Sequence, residues 1–155
     1  MFEIRDTHDP EEKARICNDI LRAVPEWFGN EAAITGYTEE VRALPFIAAY
    51  ADGAAIGFLA IKEHNVFTAE MCVLGVLKQY HRMGVGKAMV TRCEEFCRER
   101  DFEFLTVKTL ADLTDYPPYA RTRAFYLAMG FRPLEVFPLL WDADNPCLFM
   151  AKYLK

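Results

Sequence analysis

The stretch Val76–Lys87, VLKQYHRMGVGK, sets two glycines one residue apart, Gly84 and Gly86, among the basic side chains Lys78, His81, Arg82 and Lys87. A strand-like run, Glu70–Val76, precedes it, and a helical pattern, Gly84–Arg100, follows. Strand, glycine turn and helix start together make a site for an anion. The first turn of a helix leaves backbone N–H groups without partners, and the helix dipole favours negative charge there. Glycine removes the side chain that would hold a phosphate away from the backbone. The chemistry expected of this stretch is therefore the grip of a diphosphate.

Three common glycine-turn patterns do not account for it. A P-loop needs a Ser or Thr after its lysine and a glycine five residues before the second glycine. Here Ala88 follows Lys87, and His81 stands five before Gly86. A dinucleotide fingerprint needs a third glycine, where this chain has Met89, and it opens a βαβ unit rather than following an antiparallel meander. A kinase-type loop would need a catalytic H-R-D, which the sequence lacks.

Elsewhere the chemistry-bearing residues are sparse. Five cysteines (Cys17, Cys72, Cys93, Cys97, Cys147) form no C-x-x-C pair, so no metal is expected, and they read as reduced, buried apolar groups of a cytoplasmic protein. His8 and His64 have no carboxylate cluster in sequence and read as surface residues. Arg121 and Arg123 either meet a phosphate or are solvated. Trp27, Phe28 and Trp141 either cover the core or wall a pocket. A net charge of −5 argues against general nucleic-acid binding. Met1–Asp9 carries Glu3, Arg5 and Asp6 in place of a signal peptide's apolar run, and no stretch suggests a membrane span.

The elements that must position these groups follow from periodicity. At 155 residues, 52% of them hydrophobic, the chain is expected to be one domain, 1–155. Phe2–Arg5 reads as a strand. A helix begins at Asp9-Pro10, with Glu12 at capping-box spacing, and ends at Pro25. A second helix, Glu31–Leu44, is capped by Asn30. Pro45–Ala51 and Ala54–His64 form a hairpin about Asp52-Gly53, and Thr68–Val76 continues the meander. In the helix after the glycine turn, Val85, Met89, Cys93 and Cys97 face inward, while Arg92, Glu94 and Glu95 face water. Glu103–Lys108 is a strand parallel to Thr68–Val76. Thr109–Pro118 is a loop, Tyr119–Met129 a helix closed by Gly130, and Arg132–Pro138 and Pro146–Tyr153 are the last strands, with Trp141 in their connection.

Two motifs in this frame resemble the GNAT superfamily of N-acetyltransferases. Val76–Gly86, as V-x-x-x-x-H-R-x-G-x-G, is similar to its motif A, and Phe125–Phe131, FYLAMGF, to its motif B, about 40 residues on. The resemblance covers essentially the whole chain and implies an α/β, three-layer α-β-α acyl-CoA N-acyltransferase fold around one mixed, mostly antiparallel sheet. It implies acetyl-CoA as cosubstrate, no metal, and an amine of a small molecule or protein as acceptor, attacked directly in a ternary complex; homodimers are frequent in the family. The diphosphate falls to backbone N–H groups of Met83, Gly84, Val85, Gly86 and Lys87, with His81 and Arg82 beside them, and the pantetheine arm to the backbone of Leu74 and Val76. His81 replaces the family's Gln or Arg, and Tyr119 replaces an Asn that touches the cofactor in many members. Glu70, on a strand otherwise apolar at its centre, is the implied base, acting directly or through water. Tyr126, the motif B tyrosine, is the implied acid. A non-catalytic acyl-CoA sensor on the same fold would keep the diphosphate grip and need neither.

Overall fold

The computed structural model describes residues 1–112 and 116–155; residues 113–115, inside the expected Thr109–Pro118 loop, lie outside the described residues. The strands are β1 (Glu3–Thr7), β2 (Phe46–Ala51), β3 (Ala54–Glu63), β4 (Thr68–Val76), β5 (Phe104–Leu110), β6 (Arg132–Asp142) and β7 (Asn145–Tyr153). The helices are α1 (Pro10–Ala23), α2 (Glu31–Glu40), α3 (Val85–Glu99) and α4 (Pro117–Ala128). The strands hydrogen-bond in the order β1-β2-β3-β4-β5-β7-β6. The β4–β5 pair is parallel, and β1–β2, β2–β3, β5–β7 and β6–β7 are antiparallel, giving the expected mixed, mostly antiparallel sheet. Contacts gather into two compact units, residues 1–62 with 72–96, and residues 63–71 with 97–155.

In the first unit, α1 presents Ile16, Cys17, Ile20 and Leu21 to Phe46, Ala48, Phe58 and Ala60 of β2 and β3. Burial of each large apolar side chain contributes about 1.5–3 kcal/mol. A 14-residue helix is marginal alone, so this packing holds it. Asp9 caps it by accepting from the Glu11 amide. Glu12 does not complete a capping box in the way its spacing suggests; its carboxylate takes the Tyr50 hydroxyl at 2.5 Å. Gly75 of β4 lets the helix close down, since a Cβ there would stand 3.0 Å from Ile20. Asp52 and Gly53 both have positive φ, 51° and 80°, as a two-residue hairpin turn requires. Cys72 and Val73, consecutive on β4, both pack on this core cluster. On α3 one expectation fails: Glu94 is buried rather than facing water.

In the second unit β5 lies between β4 and β7. The register sets Glu70 opposite Thr106, and Lys108 opposite Phe149. The double proline does not close a loop. Pro117 and Pro118 begin α4, where a missing N–H costs nothing. Gly130 ends α4 at φ 98°, and the Phe131 amide bonds back to the Tyr126 carbonyl at 3.0 Å. β6 runs on to Asp142, so Trp141 belongs to the strand and not to the connection. Asp142 Oδ1 makes the turn by accepting from the Asp144 amide and the Asn145 side chain.

Candidate active site

The glycine turn, in the first unit, follows β4 through a short 3₁₀ turn, Lys78–Tyr80. Arg82 and Gly84 take positive φ, 63° and 83°, and a Cβ at Gly84 would meet nothing within 4 Å. α3 starts at Val85, and Ala88 donates to the Gly84 carbonyl at 3.0 Å. The amides of Val85, Gly86 and Lys87 therefore head the helix without an intrahelical acceptor. Arg82, Met83 and Lys87 are exposed, and Leu74 and Val76 are half-buried. Gly84 and Lys87 also border a cavity of about 440 Å³ with Ile4, Ala88, Thr91, Arg92 and Glu95.

His81 is directed back to the strand. Its Nε2–H donates to the Val76 carbonyl at 2.7 Å, and its ring meets Trp27 edge-on at 5.4 Å. Lys78 pairs with Glu26 at 2.5 Å, and that hydrogen bond holds the Glu26 carboxyl below its ordinary value. Of the two loop aromatics, Trp27 thus buttresses the turn, while Phe28 packs on the core beside Tyr37.

Glu70, in the second unit, is buried on β4. Residues two apart on a strand share a face, so Lys108, two beyond the Thr106 that faces Glu70, reaches it. Its ammonium donates to both carboxylate oxygens, at 3.0 and 3.1 Å. His64 Nε2 stands 2.6 Å from Glu70 Oε1. The β3–β4 hairpin holds His64 in place: its amide bonds to the Thr68 carbonyl, and Asn65 Oδ1 accepts from the amides of Phe67 and Thr68. His64 is exposed, in keeping with its reading as a surface residue, but it does have a carboxylate beside it, that of Glu70. That partner came from the next strand, and no spacing rule would have found it.

His64 and Lys108 border a cavity of about 380 Å³, with Thr68, Thr106, Phe137, Leu140 and Phe149. Cys147, on β7, has its thiol pushed up by burial, with Lys108 pulling it down and Glu70 pushing it up. In the first unit a second polar group surrounds Glu40, which accepts from the Cys72 thiol at 3.3 Å and from Lys62 at 3.1 Å. Burial pushes the Glu40 carboxyl up, but Lys62 and Cys72 bring it below its ordinary value.

Tyr126 is buried on α4, its ring edge-on to Phe131 at 5.8 Å. Burial first, then Tyr119, pushes its phenol far above the ordinary range. Tyr119 itself is pushed up to about 12, chiefly by burial. Arg123 is tied to the Leu110 carbonyl at 2.8 Å, whereas Arg121 is exposed. Among the described residues, no three metal-ligating side chains converge, and no helix is long and apolar enough to cross a membrane.

The sequence profile of the acetyltransferase (GNAT) family matches residues 12–131. No curated protein matches the sequence. A GNAT-family protein from Desulfovibrio desulfuricans superposes with a TM-score of 0.83 at 17% identity, covering 100% of both chains. The ribosomal-protein-S18-alanine N-acetyltransferase from Escherichia coli gives 0.78 at 16% identity, over 100% of this chain and 95% of its own. An aminoglycoside 6'-N-acetyltransferase complexed with coenzyme A gives 0.76 at 18% identity, over 100% and 97%. At these identities the likeness is one of fold, the three-layer α/β arrangement. The family match spans most of the sequence, and the chain belongs to the acetyltransferase (GNAT) family.

Proposed function

We propose that this acetyltransferase moves an acetyl group from acetyl-CoA to a primary amine, by direct attack in a ternary complex. The observation that carries the reading is the turn at Gly84. Its positive φ, the open space at its missing Cβ and the three amides heading α3 suit a diphosphate. Arg82 and Lys87 would add charge, and the backbone of Leu74 and Val76 would pair with the pantetheine arm. His81, by bonding the Val76 carbonyl, would fix the strand end that the arm follows rather than take the diphosphate itself.

Acetyl-CoA supplies an acyl group activated as a thioester. The amine must shed a proton to attack it, and the departing thiolate must be stabilised. Glu70 is the proposed proton acceptor, directly or through an intermediary, and Tyr126 the proposed donor at the leaving sulfur. Its raised phenol keeps its proton at any working pH. Full transfer to a thiolate of ordinary pKa, about 8.5, would run uphill. Tyr126 therefore serves best as a hydrogen-bond donor that steadies the developing charge.

The test is CoA release by the purified protein with acetyl-CoA and a panel of amino acids, peptides, arylalkylamines, polyamines and aminoglycosides. Release with at least one amine is expected. Tight CoA binding with no release across the panel would support a non-catalytic sensor instead.

A further inference from the structure

We propose that the cavity bordered by His64, Thr106, Lys108, Phe137, Leu140 and Phe149 is the acceptor pocket, that it takes a monoamine with a flat apolar body, and that His64, held by Glu70, accepts the amine's proton. The proposal rests on the N-acetyltransferase reading and names the substrate class and the proton acceptor within it.

One wall of the cavity is apolar: Phe137 and Phe149, with ring centroids 6.0 Å apart, and Leu140. Burying a ligand's apolar surface there contributes about 25 cal/mol per Å². The remaining lining residues, His64, Thr68, Thr106 and Lys108, are polar, and among the described residues none that lines the cavity is Asp or Glu. The carboxylate behind them, Glu70, has both oxygens engaged by Lys108 and one also by His64. A polycation such as a polyamine or aminoglycoside needs several carboxylates to replace its water, and here it would meet the Lys108 ammonium instead. A single amine on an apolar body needs only one acceptor for one proton.

His64 is that acceptor. Its side chain is 37% exposed, against 8% for Glu70, so the imidazole and not the carboxylate reaches the cavity. A carboxylate only accepts hydrogen bonds, so the Nε2 beside it must carry the proton, and Nδ1 of the neutral ring holds the lone pair. A buried carboxylate that fixes the tautomer of an exposed imidazole and steadies the imidazolium formed is the logic of an acid–histidine pair. The protons balance as follows. One N–H of the ammonium passes to His64 Nδ1, the freed lone pair forms a bond to the thioester carbonyl carbon, and the C–S bond breaks. The sulfur takes a proton from solvent under the Tyr126 hydrogen bond, the new amide nitrogen loses its extra proton, and His64 returns its own to water. The sum is ammonium plus thioester giving amide, thiol and one proton.

The experiment uses the intact protein with phenethylamine and spermidine as probes. With acetyl-CoA, phenethylamine is expected to give at least a tenfold higher kcat/KM. His64→Gln should lower kcat about 10²-fold, with the amine KM and the CoA Kd within twofold. Added imidazole should restore about tenfold of the lost rate in His64→Ala, which a merely structural role would not allow. A readout free of turnover is the aromatic ¹H–¹³C NMR spectrum of the CoA-loaded protein, where phenethylamine should shift the His64 and Phe149 signals saturably. Preference for spermidine, a His64→Gln variant within threefold of the parent, or unmoved His64 and Phe149 signals would overturn the proposal. Failure to bind CoA would overturn the acetyltransferase reading instead, so the two failures are distinct.

Discussion

At the turn before α3, what the chain would offer a ligand is backbone: the amides of Val85, Gly86 and Lys87, which head the helix without intrahelical acceptors after Gly84 at φ 83°. Around Glu70 it offers side chains from three places, with His64 after β3, Glu70 on β4 and Lys108 on β5. Backbone amides are removed by no substitution except proline; any other can only tilt or obstruct them. A side-chain network can lose one member and leave the rest mispaired. The first region should therefore answer to changes of shape and the second to changes of charge.

The largest test of that contrast is Glu70→Ala. It leaves the Lys108 ammonium without its carboxylate and His64 without its anchor. We expect kcat to fall about 10²–10⁴-fold, with the CoA Kd, measured by calorimetry, within twofold of the parent. A comparable loss of CoA affinity would erase the distinction between the regions. Gly84→Val inverts the pattern. A β-branched residue in the left-handed region costs about 1–2 kcal/mol, and its side chain enters space the Gly84 backbone leaves open. CoA affinity should drop about tenfold to a hundredfold, while kcat at saturating acetyl-CoA stays near the parent value.

The contrast also explains how far the sequence reached. The glycine turn was legible because its geometry is written in residue type, as glycine is the cheapest residue at φ 83°. Glu70 was legible as a lone acid in an apolar strand. Its partners were not, because Lys108 meets it only through the β4–β5 register, and His64 only through the β3–β4 hairpin. Pro138 misled for a different reason. Proline normally stops a strand, but β6 lies at the edge of the strand order, where a missing donor is tolerated. Glu94 was misassigned because a helical wheel ranks residues by type and cannot see what covers a polar position.

Tyr126→Phe sharpens the comparison within the second unit. It removes one hydroxyl and keeps the ring against Phe131. We expect kcat to fall about tenfold to a hundredfold, with CoA and amine binding unchanged. Stability gives a second readout. The folded phenol sits far above its ordinary 10.0, so the folded state resists losing that proton. Stability is then intact below pH 10 and declines as pH rises above it. Tyr126→Phe deletes that term, and its alkaline unfolding midpoint should move up; a midpoint that moves down would contradict a buried phenol.

The smallest effect is expected at His81, beside the glycine turn. Were its ring a diphosphate ligand, His81→Ala would cost CoA affinity on the scale of Gly84→Val. The ring instead donates to the Val76 carbonyl and leans on Trp27. Losing an exposed hydrogen bond of this kind costs about 0.5–1 kcal/mol. We expect CoA affinity to fall no more than about threefold, equal to about 0.65 kcal/mol, with a small drop in Tm. His81→Gln, whose amide can reach the same carbonyl, should recover most of it. A tenfold loss in His81→Ala that shrinks as salt is added would mean that a charged imidazole meets the phosphates. The turn would then belong with the side-chain sites, and the backbone would not be its principal instrument.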